Sequence, residues 1–297
     1  MKRHLIAALL IACFVLSGAP VFAADMMLAP FQKSDGKYGF VNSDHCWVIN
    51  PQFKGADSFS DGLARVVLGD KYGFIDRTGK MVINPQFEIA GSFSDGLAQV
   101  KLGDKWGFID STGKMVINPQ FELVLSFSDG LAPVKLGGKW GFIDRTGKMV
   151  INPQFDDGFS FREGLARVKL GDKWGFIDRT GKMIINPQFD WADGFTDGLA
   201  IVKLGGKYGF IDRTGKMVIN PQFDYTWWSF SDGLAPVKLG GKWGFIDRTG
   251  KMVINPQFDW ADGFTDGLAR VDLGGGKWFE INRTGQVLLD PTCTAKP

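Results

Sequence analysis

One short motif recurs eight times along this 297-residue chain, at intervals that leave it few ways to fold. The clearest copies read KWGFIDRTGKMVINPQF, then five residues, then F-[ST]-D-G-L-A-x-V-K-L-G-[DG]. An aromatic residue marks each copy, at Tyr38, Tyr72, Trp106, Trp140, Trp174, Tyr208, Trp243 and Trp278. Five successive intervals are 34 residues and the last two are 35. A period in this range belongs to solenoids, propellers and stacked arrays, whose units bury their apolar faces against their neighbours. The units fall near 28–59, 60–93, 94–127, 128–161, 162–195, 196–230, 231–264 and 265–291, within an array over 24–297.

Each unit divides into three extended runs, here taken from the fifth copy. Leu165–Leu170 is strand A, Lys173–Asp178 strand B and Met183–Phe189 strand C. Alternation places Ala166, Val168 and Leu170 on one face of A, with Arg167 and Lys169 toward water. Trp174 and Phe176 share one face of B, opposite Gly175 and Ile177; Met183, Ile185 and Phe189 share one of C. Gly-Asp or Gly-Gly between A and B is a two-residue hairpin signal, and Asp-Arg-Thr-Gly-Lys closes B to C with Gly181 left-handed. Pro187 suits an edge or a bend near the end of C. Gly or Pro interrupts every stretch of helical length in the repeats, so helix is a poor alternative there.

The pattern therefore predicts an all-β tandem array of three-stranded antiparallel meanders. The structural core repeats as Trp106-Gly107, Trp140-Gly141, Trp174-Gly175 and Trp243-Gly244. The missing Cβ of these glycines would let a neighbouring backbone or ring lie flat on strand B. The linker from C to the next A crosses irregularly, as suits an open stack, or as a short fourth strand, as suits propeller blades. Both end units are degenerate, with Asn42–Cys46 replacing the usual turn and Phe279-Glu280 replacing the Gly-Phe step. Degenerate ends favour an open, solenoid-like stack over a closed β-propeller. Cys46 and Cys293 test that choice, because a disulfide between them needs Cα atoms within about 7 Å.

The recurring KWGFID-x-TGK-x-VINPQF followed by FSDGLA resembles the bacterial WG-repeat (KWG) family, over about residues 28 to 291. The resemblance implies a β-rich repeat protein, often exported or envelope-associated, with no common activity and no catalytic or binding residues to carry over. The departures are Tyr at 38, 72 and 208, and Trp278-Phe279 in place of Trp-Gly.

Residues 1–23 read as a secretory signal peptide. Lys2 and Arg3 precede the apolar run Leu5–Leu16, and Val21-Phe22-Ala23 offers a cleavage site. That run is shorter than the roughly 20 residues a membrane span needs. The expected product is not membrane-spanning and is periplasmic or extracellular. Without Lys2 and Arg3 the 34 basic residues become 32, matching the 32 acidic ones, so the basic excess of a nucleic-acid binder is missing.

Catalytic chemistry has little to work with. The two histidines are His4, in the leader, and His45, which excludes His-based metal sites and Ser-His-Asp or Cys-His catalysis. Asp76, Asp144, Asp178, Asp212 and Asp247 occupy one repeated turn, where aspartate serves the local backbone. The asparagines before each proline, such as Asn186, are expected to form a ladder serving the linker backbone. No enzyme, metal or cofactor is expected. Trp191, Tyr225, Trp227, Trp228 and Trp260 stand outside the copied pattern, in the linkers of units five to seven. A scaffold residue should be copied in every unit, so these rings are the candidate binding residues. The function expected is an exported, non-enzymatic binding or scaffold protein of the cell envelope that engages a protein partner. Glycan or cell-wall binding through the linker aromatics is the alternative.

Overall fold

The computed structural model describes residues 28–288, all of them strand, turn or irregular chain without helix. The leader expected over 1–23 and Cys293 lie outside the described residues. The chain divides into two compact units, Met1–Gly103 with Ile109–Met115 and Asp104–Phe108 with Val116–Pro297. Among the described residues are eight antiparallel sheets of three or four strands, one for each copy of the motif.

In the fifth sheet, strands A, B and C are Leu165–Leu170, Lys173–Asp178 and Met183–Phe189, as the alternation predicts. A fourth strand leads them: Asp157–Gly158, from the preceding linker, pairs with Lys169 and Val168. The linker is thus not an irregular crossing but a two-residue strand, and six of the eight sheets carry it. Its brevity explains why alternation could not reveal it.

Turn chemistry is local and repeated. The Gly137-Gly138 hairpin has φ of 61° and 76°, the left-handed pair that suits the twist of the flanking strands. At the B–C turn, Asp178 Oδ1 accepts from Thr180 Oγ1 at 2.6 Å, Thr180 N at 2.9 Å and Lys182 N at 3.0 Å. The Thr180 hydroxyl, the largest influence, and these N–H groups together hold the Asp178 carboxyl below its ordinary value against an opposing desolvation that outweighs either N–H alone. Asp76, Asp110, Asp144, Asp212 and Asp247 repeat the effect. A carboxylate with a depressed folded-state value contributes stability that is whole above its unfolded value, about 3.9, and is lost as pH falls through the folded one. The melting temperature is expected to hold level from neutrality down to about pH 5 and to drop below about pH 4. Circular dichroism melts across that range check this; an unchanged melting temperature at about pH 2 would contradict it.

Strand C departs from simple alternation. Trp174 pairs with Phe189, Phe176 with Ile185 and Ile177 with Met183, with register shifts between the pairs. These bulges place extra residues on C. Met183 consequently turns to the face of Ile177 and packs with the preceding sheet, while Ile185 and Phe189 stay with Trp174 and Phe176. The bulged backbone also explains the recurring glycine. A Cβ on Gly175 would stand 2.5 Å from Ile185 O and 2.7 Å from Pro187 N. The chain pressed against Gly175 is therefore its own sheet's strand C. Asn186, on the same bulge, is exposed and its side chain makes no hydrogen bond, so the expected asparagine ladder is not formed.

The cores lie between successive sheets. Trp174, Phe176, Ile185 and Phe189 of the fifth sheet share one with Phe195, Ala200, Val202 and Ile211 of the sixth. Ala166, Val168 and Ile177 share another with Trp140, Phe142 and Phe155 of the fourth. Strand B is thus buried on both faces, where alternation alone suggests a half-solvated meander. Leu170, expected inside with Ala166 and Val168, lies at the strand end and is exposed. Phe176 meets Phe195 edge-on across the seam at 4.9 Å. The Gly181 turn sits on Ile151 of the sheet before it. Polar stitches reinforce the seam: Gly198 N donates to Glu163 Oε2 at 3.0 Å and Ser128 Oγ to Phe161 O at 2.8 Å. In the last sheet Phe279, in the glycine register, is half-buried against the final core, and Trp278 is exposed.

Candidate functional site

Residues that are not copied from repeat to repeat collect at one place in every sheet. They are the five or six linker residues after PQF and the third residue of strand A: Arg65, Gln99, Pro133, Arg167, Ile201, Pro236 and Arg270. The two positions touch because the linker N–H bonds that strand-A carbonyl, as Asp193 N does to Ile201 O at 2.9 Å. Successive linkers also meet. The Arg167 guanidinium bonds the next linker through Ala192 O at 3.0 Å and pairs with Asp193. It lies over Phe159 at 4.0 Å and nears Trp174 and Trp191.

From Trp191 onward the non-copied positions become aromatic, and the linker rings fit between the strand-B rings. Trp191 meets Tyr208 at 6.1 Å, Tyr208 meets Tyr225 at 5.3 Å, Tyr225 meets Trp243 at 6.0 Å and Trp243 meets Trp260 at 5.6 Å. Trp227 then stands edge-on to Trp260 at 5.0 Å and to Trp228 at 5.9 Å. All but the tilted Trp243–Trp260 pair are edge-to-face, a favoured ring geometry at these separations. All five candidate rings therefore belong to one run. Their settings differ. Trp191 and Trp260 are half-buried rungs, whereas Tyr225, Trp227 and Trp228 remain about two-fifths exposed, at 39%, 43% and 44%.

The exposed group sits at a register break. The interval from Tyr208 to Trp243 is 35 residues, one more than in the earlier repeats, and the extra residue falls in the linker Asp224–Phe230. There the lead strand shrinks to a single bridge between Tyr225 and Lys238. Thr226, buried, replaces the usual backbone donor by giving its Oγ1 hydrogen to Pro236 O at 2.9 Å. The surplus chain carries Trp227 and Trp228 outward, and the Trp228 ring lies against Gly263 of the next linker.

Sequence reasoning passed over Tyr208 and Trp243 as scaffold, and over Lys203, Lys238 and Thr226 entirely. Trp243 is 1% exposed, with its indole Nε1 buried and unpartnered. Trp140 and Trp174 are buried as well, and Trp106 is half-buried. A signal did exist, since a ring recurs every 17 or 18 residues from Trp174 to Trp260.

Charges beside the run are mostly paired. Lys173 bonds Asp190 at 2.5 Å and Lys207 bonds Asp224 at 2.5 Å; Lys242 pairs with Asp259. The Lys207 ammonium first, then the Gly240 N–H, holds the Asp224 carboxyl below its usual range. Burial, then Tyr225, raises the Tyr208 phenol. A depression of about 620 Å³ opens among Asp224, Tyr225, Lys238, Gly241, Trp243 and Trp260. No group of three or more His, Cys, Asp or Glu among the described residues is placed to hold a metal, and no helix there is long and apolar enough to cross a membrane.

The profile of the WG containing repeat family matches seven tandem segments, 38–72, 72–106, 106–140, 140–174, 174–208, 208–243 and 243–278. No curated protein matches the chain. Among solved structures, a eukaryotic initiation factor is similar with a TM-score of 0.58 at 12% identity, over 89% of this chain and 84% of that one. BamB from Moraxella catarrhalis has a TM-score of 0.45 at 13% identity, over 93% and 90%. At such identities the first likeness concerns fold alone.

Proposed function

The chain belongs to the WG-repeat family, and on that premise we propose that it is an exported, non-enzymatic binding protein of the bacterial cell envelope whose ligand is a polysaccharide. One observation carries the reading. The rings exposed at Tyr225, Trp227 and Trp228 break the copied pattern and lie where linker residues of adjacent sheets meet. Scaffold demands explain the rungs Trp191 and Trp260, which fill gaps between strand-B rings, but they do not explain two exposed tryptophans in a linker lengthened by one residue. Exposed rings of this size are expensive to keep in water unless something covers them. A run of rings beside an open depression suits a sugar chain, which offers an apolar ring face and polar edges together. A protein partner would seat on a compact apolar centre with a drier rim. The leader-like pattern of residues 1–23 supports export, and the aspartates repeat as turn residues instead of pairing in one cleft.

Tryptophan fluorescence titrated with a soluble neutral glucan oligomer and with soluble peptidoglycan fragments tests this reading. At least one should shift the emission. Trp227→Ala with Trp228→Ala is expected to weaken that binding at least tenfold, about 1.4 kcal/mol. Both sites are exposed, so the melting temperature should barely change. Silence toward every glycan, combined with capture of an envelope protein by the immobilised chain, would replace the sugar reading with protein scaffolding.

A further inference from the structure

We propose that the aromatic run selects an acidic polysaccharide, one whose pyranose rings carry carboxylates, and that Lys203 and Lys238 are its anion-reading residues. The proposal rests on the polysaccharide reading above and names the class of sugar.

Two lysine positions beside the aromatic run differ in pairing. At the start of strand B, Lys173 is neutralised by Asp190, Lys207 by Asp224 and Lys242 by Asp259. Lys203 and Lys238, near the end of strand A, make no ion pair, yet both are half-buried. Strand pairing explains their setting. Lys203 lies in register between Trp191 on the lead strand and Tyr208 on strand B. Lys238 lies between Tyr225 and Trp243. Each lysine is therefore flanked in register by two aromatic residues, and Lys203 Nζ stands 5.3 Å from the Tyr208 ring centre.

An ammonium beside aromatic residues and lacking a counter-charge retains unspent attraction for an anion. A carboxylate on a sugar ring meets that need while the ring face covers the neighbouring aromatic. Lys238 and Tyr225 line the same open depression with Trp243 and Trp260, so both contacts are available in one place. Trp243 is fully buried and takes no ligand itself; Tyr225 and the half-buried Trp260 remain.

Two rows in succeeding sheets repeat the arrangement, which suits a chain with a repeating acid. The pattern stops on both sides. In the last sheet the lysine position is Asp272, between Trp260 and Trp278. In the fifth sheet the leading residue beside Lys169 is Asp157, a carboxylate in place of a ring. The Arg167 guanidinium offers no third anion site, since Asp193 already holds it.

Calorimetric and fluorescence titrations of the full chain with hexagalacturonate and with cellohexaose, at low and moderate salt, test the proposal. Hexagalacturonate should bind at least tenfold more tightly, and its affinity should fall with added salt. Lys203→Met with Lys238→Met should bring the acidic oligomer to the level of cellohexaose and leave cellohexaose unchanged. Lys203→Arg with Lys238→Arg, which keeps both charges, should preserve most of the preference and shows that loss in the first variant is not misfolding. Equal binding of the two oligomers, or a preference that survives the methionine pair, overturns this proposal and leaves the polysaccharide reading intact. Binding of neither oligomer, while peptidoglycan fragments still bind, overturns it in the same way. Absence of any glycan binding overturns both.

Discussion

Replacing Gly175 by alanine is expected to destabilise the protein by about 3 kcal/mol or more. The added carbon would stand 2.5 Å from Ile185 O, 2.7 Å from Pro187 N and 3.0 Å from Asn186 C. All three are main-chain atoms on a bulge of the adjoining strand, so no side chain can swing away. Relief requires strand C to lift, which parts the Trp174–Phe189 and Phe176–Ile185 pairs that form one wall of the core with the next sheet. The same clash recurs at Gly107, Gly141, Gly209 and Gly244. Gly171→Ala is the control. It meets open space at a φ of +59°, and should cost only the left-handed backbone penalty, about 1–2 kcal/mol. Denaturant unfolding of both variants checks the contrast; comparable losses would show that the bulge can yield.

An excised single sheet, residues 157–189, is expected to have no cooperative fold in dilute buffer. Its strand-B rings Trp174 and Phe176 would face water, because Phe195, Ala200, Val202 and Ile211 of the following sheet close that core. Its opposite face would lose Trp140, Phe142 and Phe155. The stitches from Glu163 to Gly198 and from Ser128 to Phe161 would be lost as well. A stack in which each element contacts only its neighbours gains stability with every added interface. Circular dichroism of the peptide should show coil, and fragments of two, three and four sheets should melt at rising temperatures. A single sheet that melts cooperatively as a monomer would overturn the shared-core account.

The candidate site was only partly legible. Its members Trp191, Tyr225, Trp227, Trp228 and Trp260 stood out because they break a copied pattern. Their ordering into half-buried rungs and exposed tips did not, because it depends on the rings that the next sheet presents. Lys203 and Lys238 were hidden for the opposite reason. The motif copies an unpaired lysine there in most repeats, and only the residues flanking each copy decide whether aromatic rings stand on both sides of it. The Asp-Gly turns before strand A were a readable hairpin signal that went unused. Asp197 at φ 51° and Gly198 at 77° form a tight two-residue loop closed by Thr196 and Leu199.

Three things follow from the order of residues alone: eight repeated units, three long strands in most of them, and the turns that join A to B and B to C. Each arises from interactions within a few residues, through alternation of side chains, glycine at left-handed positions and aspartate bonding its own turn. The tertiary structure alone decided that both faces of strand B are covered, that Gly175 yields to its own sheet's bulge, and that the linker rings interleave with those of strand B. Those outcomes depend on what residues a full repeat away bring to the same spot, and a period shows that partners exist without showing which atoms meet.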